Sequence, residues 1–410
     1  MKRRDFVIGT GAAGLAALAL RGRGALATEP AARPPRRLLL VFASGGWDTS
    51  YALDPKALPL VDAPAGAVQR FASLDVFTDA SRPSVTTYFD RHADVTAIVR
   101  GIATDGIFHN ECQRRILTGK REDNNPDLGA IVAHDVGNDL PIPYLVLGGL
   151  AFTSPYSVSA ARVGTTNQIV DLLSDPTDSL AATEDALLRS YAEASADRAR
   201  ATRGATGYNR RRVDDFAAAV VRGERVGQLR GRLGARGESQ SFDAQIALAL
   251  DALEQDIAHA VMLNTGVNWD THDSNFLQGD NHEVTFAQLT ALVDQLAARP
   301  GRAAGSKMID DTVVAVVSEF SRTPLLNGHQ GKDHWPVTAA MVIGAGVNGG
   351  RAFGATTDGA GNLPIDLATG QPSATGSPLM YFHFIAGVLA LCGADPGRYF
   401  ATPVFDAFVA

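Results

Sequence analysis

Apolar residues along this chain gather into short blocks separated by glycine and polar turns. The blocks are Leu38–Phe42, Val95–Val99, Ile142–Leu147, Ala258–Leu263, Thr312–Val317 and Ala339–Ile343. Compact apolar runs of this length predict strands buried on both faces, as in the middle of a parallel sheet. Between them the period changes. Phe286, Leu289, Leu292, Val293 and Leu296 place an apolar stripe on a helix ending near Ala298. A second helix runs from Cys112 towards Leu117 and closes at Thr118-Gly119-Lys120. Leu180–Ala196 and Phe242–Ile257 also show helical spacing, so residues of about 177–257 read as a helical insertion. The order strand, helix, strand from Ala258 to Val317 implies a right-handed crossover and parallel pairing. The fold class expected is α/β: three layers, α/β/α, around a mostly parallel sheet.

The N-terminus stands apart from this pattern. Lys2-Arg3-Arg4-Asp5-Phe6-Val7 is a charged start with a twin arginine, and Ile8–Leu20 is a mild apolar run diluted by Gly9, Gly11 and Gly14. Ala25-Leu26-Ala27 then offers a small-residue cleavage site. The run is too short and glycine-rich for a stable membrane span. Residues 1–27 read as a twin-arginine signal, which makes the twin-arginine export machinery a partner and the periplasm or exterior the destination. Residues 28–36 read as a linker and 37–410 as the working domain. The formal charge is −7, and the leader removes five basic residues against one acid. So acidic a mature chain repels polyanions, which argues against nucleic acid. Cys112 and Cys392 are the only cysteines; one disulfide and two buried thiols are both compatible with the sequence. The Arg198–Arg236 stretch, rich in arginine and glycine, reads first as a solvated helix face and second as a lure for an anionic substrate.

Candidate chemistry lies where the blocks end. Asn327–Pro336 places Asp333 beside His334, between Gly328 and Gly331 on one side and Trp335-Pro336 on the other. A carboxylate next to an imidazole suits a divalent cation such as zinc, manganese or iron, with calcium a further option. Asp48, in Gly45-Gly46-Trp47-Asp48-Thr49, follows the first strand at the end where open α/β sheets bind ligands; an N-cap is its alternative role. Asp270 and His272, two residues apart, fall on one face of an extended segment. His109 opens a helix, where the dipole disfavours its charged form. Asp48, Asp270, His272, Asp333 and His334 are thus expected to converge on one edge of the sheet as ligands.

Taken together, Gly45–Thr49, Trp269-Asp270-Thr271-His272 and Ser318-Glu319-Phe320-Ser321-Arg322-Thr323-Pro324 followed by Gly331–Pro336 resemble an exported sulfatase-like family. This is the domain of unknown function fifteen-oh-one, in the alkaline phosphatase superfamily. The resemblance implies an alkaline phosphatase or sulfatase-like fold, one or two divalent metal ions, and cleavage of phosphate or sulfate esters. It implies that Asp48, Asp333 and His334 share one ion and that Asp270 and His272 serve a second. Leu117-Thr118-Gly119-Lys120 resembles the tail of the sulfatase signature, and counting back puts His109 where a sulfatase carries its modified cysteine. His109 is therefore the first catalytic candidate and Thr49 the second, with no usual nucleophile present. The family's last histidine ligand has no clear counterpart. His329 and His282 are possible, and His383 reads as core. The alternative function is a non-catalytic, metal-stabilised binding protein for sulfated or phosphorylated surface glycans.

Overall fold

The computed structural model describes residues 35–162, 182–202, 206–228 and 241–410. The expected leader and most of the linker lie outside them, as does part of the insertion.

Eight strands form the central sheet: β1 (Arg37–Phe42), β2 (Thr96–Ala103), β3 (Tyr144–Val146), β4 (Ala160–Arg162), β5 (Ala260–Asn264), β6 (Thr312–Val317), β7 (Val337–Gly344) and β8 (Arg351–Phe353). Their order is β8-β2-β7-β6-β1-β5-β3-β4. All run parallel except β7, which pairs antiparallel with β2 and β6. β1 sits between β5 and β6, with Leu39 opposite both Val261 and Val314. The expected strand at Ile142–Leu147 shrinks to three residues, because Pro141 and Pro143 cannot donate to a ladder.

The helices are α1 (Pro83–His92), α2 (His109–Thr118), α3 (Leu128–Val136), α4 (Ala182–Ala201), α5 (Gly207–Gln228), α6 (Phe242–Glu254), α7 (Leu277–Ala298) and α8 (Tyr381–Cys392). Alternation along β1 divides them into layers. Leu39 and Val41 pack with Phe89 of α1, Leu250 of α6 and Leu289 of α7. Leu38, Leu40 and Phe42 pack with Ile116 of α2, Ile131 of α3 and Leu389 of α8. A strand alternates sides every residue, so one apolar run serves two cores. Each such side chain contributes about 1.5–3 kcal/mol by leaving water. The α/β/α expectation therefore holds, and α4 and α5 pack on each other within the insertion. α7 begins nine residues before the apolar stripe. Its first turns bury Gln278 and His282 instead, and a search for apolar periodicity passes over polar residues. Cys112 and Cys392 are both free and buried.

This topology explains where chemistry collects. The parallel strands β1, β2, β5 and β6 end on one edge, and the antiparallel β7 begins there. Val337 pairs with Ala103 at that rim. The loops after β1, β2, β5 and β6 and the segment before β7 therefore meet.

Candidate metal centre

Two Trp-Asp pairs build the floor of this rim. Trp47 and Trp269 are fully buried and meet edge to face, 6.2 Å between centroids. Trp47 donates from Nε1 to Ala339 O and Thr338 Oγ1, both at 3.2 Å. Trp269 donates to Thr265 Oγ1 at 2.9 Å. The chain reaches this contact only through glycine: Gly45 has φ +121, and a Cβ there would stand 2.6 Å from Asp270 N. Gly331 is tighter, with His272 O 1.8 Å from an added Cβ.

Above the floor, four side chains converge. His109, Asp270 and His334 each present a ligand atom within 4.8 Å of the other two. His272 flanks this group. Its Nε2 lies 2.8 Å from His334 Nε2 and 3.1 Å from Asp270 Oδ1. Asp270 Oδ1 is 3.4 Å from His334 Nε2, and Oδ2 is 3.4 Å from His109 Nε2. Donor atoms of a tetrahedral ion with bonds of about 2.0–2.1 Å stand roughly 3.3 Å apart. The spacing here is of that size.

Each imidazole has its other nitrogen committed. His109 Nδ1 faces Glu319 Oε1 at 2.9 Å, His334 Nδ1 faces Ile107 O at 2.6 Å, and His272 Nδ1 faces Asp333 Oδ1 at 3.1 Å. These oxygens only accept, so each Nδ1 donates, and in the neutral ring Nε2 keeps a lone pair directed into the cluster. His109 Nε2 is buried without a hydrogen-bond partner. Two neutral rings facing Nε2 to Nε2 at 2.8 Å repel unless a metal cation or a shared proton lies between or beside them. The residues present thus fit a divalent ion.

The surrounding charges reinforce this. Burial would push Asp270 up, but Arg322, by hydrogen bond and charge, together with His109 and His272 holds it below the usual carboxylate range. Arg322 is itself buried. It donates to Asp270 Oδ1 at 2.7 Å, to Gly46 O at 2.9 Å, to Lys332 O at 3.1 Å and to Gly45 O. Burial lowers His334, keeping that imidazole neutral. His109 departs from the helix-dipole expectation. Its hydrogen bond to Glu319 raises it above the ordinary value against the opposing effect of burial, because a carboxylate in contact outweighs the partial charge of a helix end.

Other expected residues are placed elsewhere. Asp48, expected as a ligand, stands apart from this cluster: it is 1% exposed and its oxygens are taken. Oδ2 pairs with Lys332 Nζ at 2.8 Å and accepts from Asn275 at 3.0 Å, while Oδ1 accepts from Ser50 Oγ at 2.6 Å. It caps the short turn Thr49–Tyr51, the alternative role. Asp333 stands behind His272, accepting from it and from Asn327 at 3.1 Å, and so orients a ligand rather than joining the cluster. Thr49 is buried, its hydroxyl 3.1 Å from Ser321 Oγ. His282 is buried in α7 and bonds Asp48 O at 3.1 Å, and His329 is exposed in its loop. His383 is buried in α8. The sequence did not single out Glu319, Arg322 or Lys332. The signal for the first two was their position just after β6, at the rim where the other loops end.

The profile of a family described as a protein of unknown function, DUF1501, matches residues 35–402. The chain belongs to this family. The resemblance carried by the Trp-Asp and Ser318–Pro324 motifs is thereby borne out. No curated protein matches the sequence. Similar solved structures include a protein in the alkaline phosphatase superfamily from Vibrio parahaemolyticus, at 11% identity and TM-score 0.40, covering 88% of this chain and 67% of that one. A sulfatase from Pseudoalteromonas sp. is similar at 10% identity and TM-score 0.38, covering 91% and 70%. An alkaline phosphatase from the Antarctic bacterium TAB5 is similar at 11% identity and TM-score 0.34, covering 77% and 93%. Likeness this distant carries no argument about chemistry, which stands on the DUF1501 chain's own residues.

Proposed function

We propose that this DUF1501 protein is a metal-dependent hydrolase of phosphate or sulfate esters, exported by the twin-arginine route to act outside the cytoplasm. The observation that carries the reading is the convergence of three Nε2 lone pairs on Asp270, each fixed by an oxygen behind it. His109, Asp270, His272 and His334 would hold the ion. A divalent cation there supplies Lewis-acid polarisation of the ester oxygens and charge neutralisation, and one such contact is worth roughly 3 kcal/mol.

The chain's own contribution is positioning. Glu319, itself fixed by Gly45 N at 2.8 Å and Gln113 Nε2 at 3.1 Å, holds the His109 ring in one tautomer. Arg322 keeps Asp270 ionised and turned inward. Thr49 and Cys112 do not fit the part of a side-chain nucleophile: Thr49 is bonded to Ser321, and burial pushes the Cys112 thiol up, away from thiolate. Water is then the attacking group, and an anionic ester or glycan the substrate.

The same locked Thr49 favours a second reading, a metal-stabilised binder of sulfated or phosphorylated glycans. Metal analysis of the purified mature protein, joined to turnover of aryl phosphate and aryl sulfate, separates the two. Bound metal with turnover supports the hydrolase, and bound metal without turnover supports the binder. A His334→Ala protein that keeps its full metal content would sink both.

A further inference from the structure

The far end of α2 carries a second cavity. His109 opens this ten-residue helix and Thr118 closes it. At 1.5 Å per residue the two ends lie roughly 15 Å apart. A cavity of about 140 Å³ at the Thr118 end is lined by Lys120, Asn124, Asn125, Tyr156, Arg211 and Tyr399, among others.

Its floor is rigidly bonded. Tyr399 donates to Asp135 Oδ1 at 3.0 Å, which leaves Tyr156 to donate to Tyr399 across 3.1 Å. His134 bonds Asp135 at 2.8 Å and stacks on Tyr156 with centroids 3.8 Å apart. Arg398 pairs with Asp135 at 2.9 Å, so those two charges cancel. Lys120 and Arg211 are different. Among the described residues neither has a carboxylate partner, and the Lys120 ammonium lies 4.7 Å over the face of Phe400. Burial pushes the Tyr156 hydroxyl up, and the nearby charge of Arg211 opposes that rise.

Two uncompensated cations beside two amide side chains, with no acid in the lining, select an anion. This is conspicuous in a chain of formal charge −7. Arg211 belongs to the arginine-rich stretch of the insertion, so that stretch contributes to a cavity as well as to solvated surface. The walls of Tyr156, Tyr399 and Phe400 add apolar ring surface, the usual composition of a small-molecule site. We propose that this cavity binds an oxyanion group (sulfate, phosphate or carboxylate) carried on a sugar, as an anchoring site separate from the histidine cluster. The proposal is independent of ester cleavage, because none of the cavity's residues belongs to that cluster.

Calorimetric titration of the full mature chain with glucose 6-sulfate, glucuronate and glucose tests it. Saturable binding of at least one anionic sugar, at least tenfold tighter than glucose, is expected. The tighter of the two anions tells whether the anchor is a sulfated or a carboxylated unit. Lys120→Met/Arg211→Met should weaken that binding at least tenfold, and Arg211→Glu alone should abolish it. His334→Ala, which strips the histidine cluster, should leave it unchanged. Glucose binding as well as its sulfate, no saturable binding, binding intact in the double variant, or binding lost in His334→Ala would each overturn the assignment. Thermal melts within a few degrees of the parent check that the variants are folded.

Discussion

Trp47-Asp48 and Trp269-Asp270 are the same dipeptide at the ends of two adjacent parallel strands, and their carboxylates lead opposite lives. Asp48 is sealed beneath the rim with Lys332, Asn275 and Ser50 around it. Asp270 is 38% exposed and faces three imidazoles and Arg322. The tryptophans do the same job in both, packing against each other as floor. What differs is the partner delivered to each acid. A buried ammonium satisfies Asp48, whereas Asp270 meets three imidazole Nε2 atoms arranged as ligands of a cation. The first arrangement holds the rim together and the second is built to bind.

The largest effect expected is at the binding half. Asp270→Ala or His334→Ala should reduce bound metal, read by elemental analysis, to less than about a tenth of the parent. Turnover of any ester substrate should fall by at least about 10²–10³, the loss typical of removing one charge-stabilising contact. Unchanged metal content would mean that the lone-pair geometry has been misjudged. Next comes the structural half. Asp48→Ala leaves Lys332 buried without its partner and should cost about 3–5 kcal/mol in denaturant unfolding. Asp48→Asn/Lys332→Met should recover most of that. Metal content of the folded Asp48 variant should stay near the parent's, and its loss would return Asp48 to the ligand set.

Glu319→Gln probes the support behind His109. Metal affinity should drop about 10–100-fold, the usual result of removing an outer partner of a ligating histidine, with little change in unfolding midpoint. The remaining effect, spread over several pH units, is on the histidine beneath both motifs. His282 meets Trp269 edge to face at 4.9 Å and stacks on Trp47 at 6.4 Å, and burial pushes it down to about 3. Unfolded, it titrates near the ordinary 6.5. Its neutral form therefore contributes full stability above that value, and the contribution is lost as pH falls towards 3. The slope is at most about 1.4 kcal/mol per pH unit. His282→Gln should flatten the acid limb of the stability profile. A parent whose stability does not change between pH 6.5 and 4 would remove this account.

Much of this was legible in the chain. Every expected apolar block overlaps a strand of the central sheet, because burial on both faces demands a continuous run. Asp270, His272 and His334 were legible as polar residues stranded beyond those runs. The fate of Asp48 was not, since its partner lies 284 residues away and no local pattern announces it. Nor was the direction of β7. An apolar run reads the same both ways, yet its reversal is what brings His334 to the rim from the strand's start. The electrostatics of His109 escaped for the same reason: Glu319 is 210 residues distant.

The sequence by itself determined the six inner strands, the layer order and a stock of nitrogen and oxygen donors, because these follow from local hydrophobic spacing and residue chemistry. Which donors meet, which acid is neutralised and which imidazole nitrogen is left open were decided only by the tertiary structure. Coulombic and hydrogen-bond partners act over a few ångströms of space, and the folded chain brings such neighbours from hundreds of residues apart.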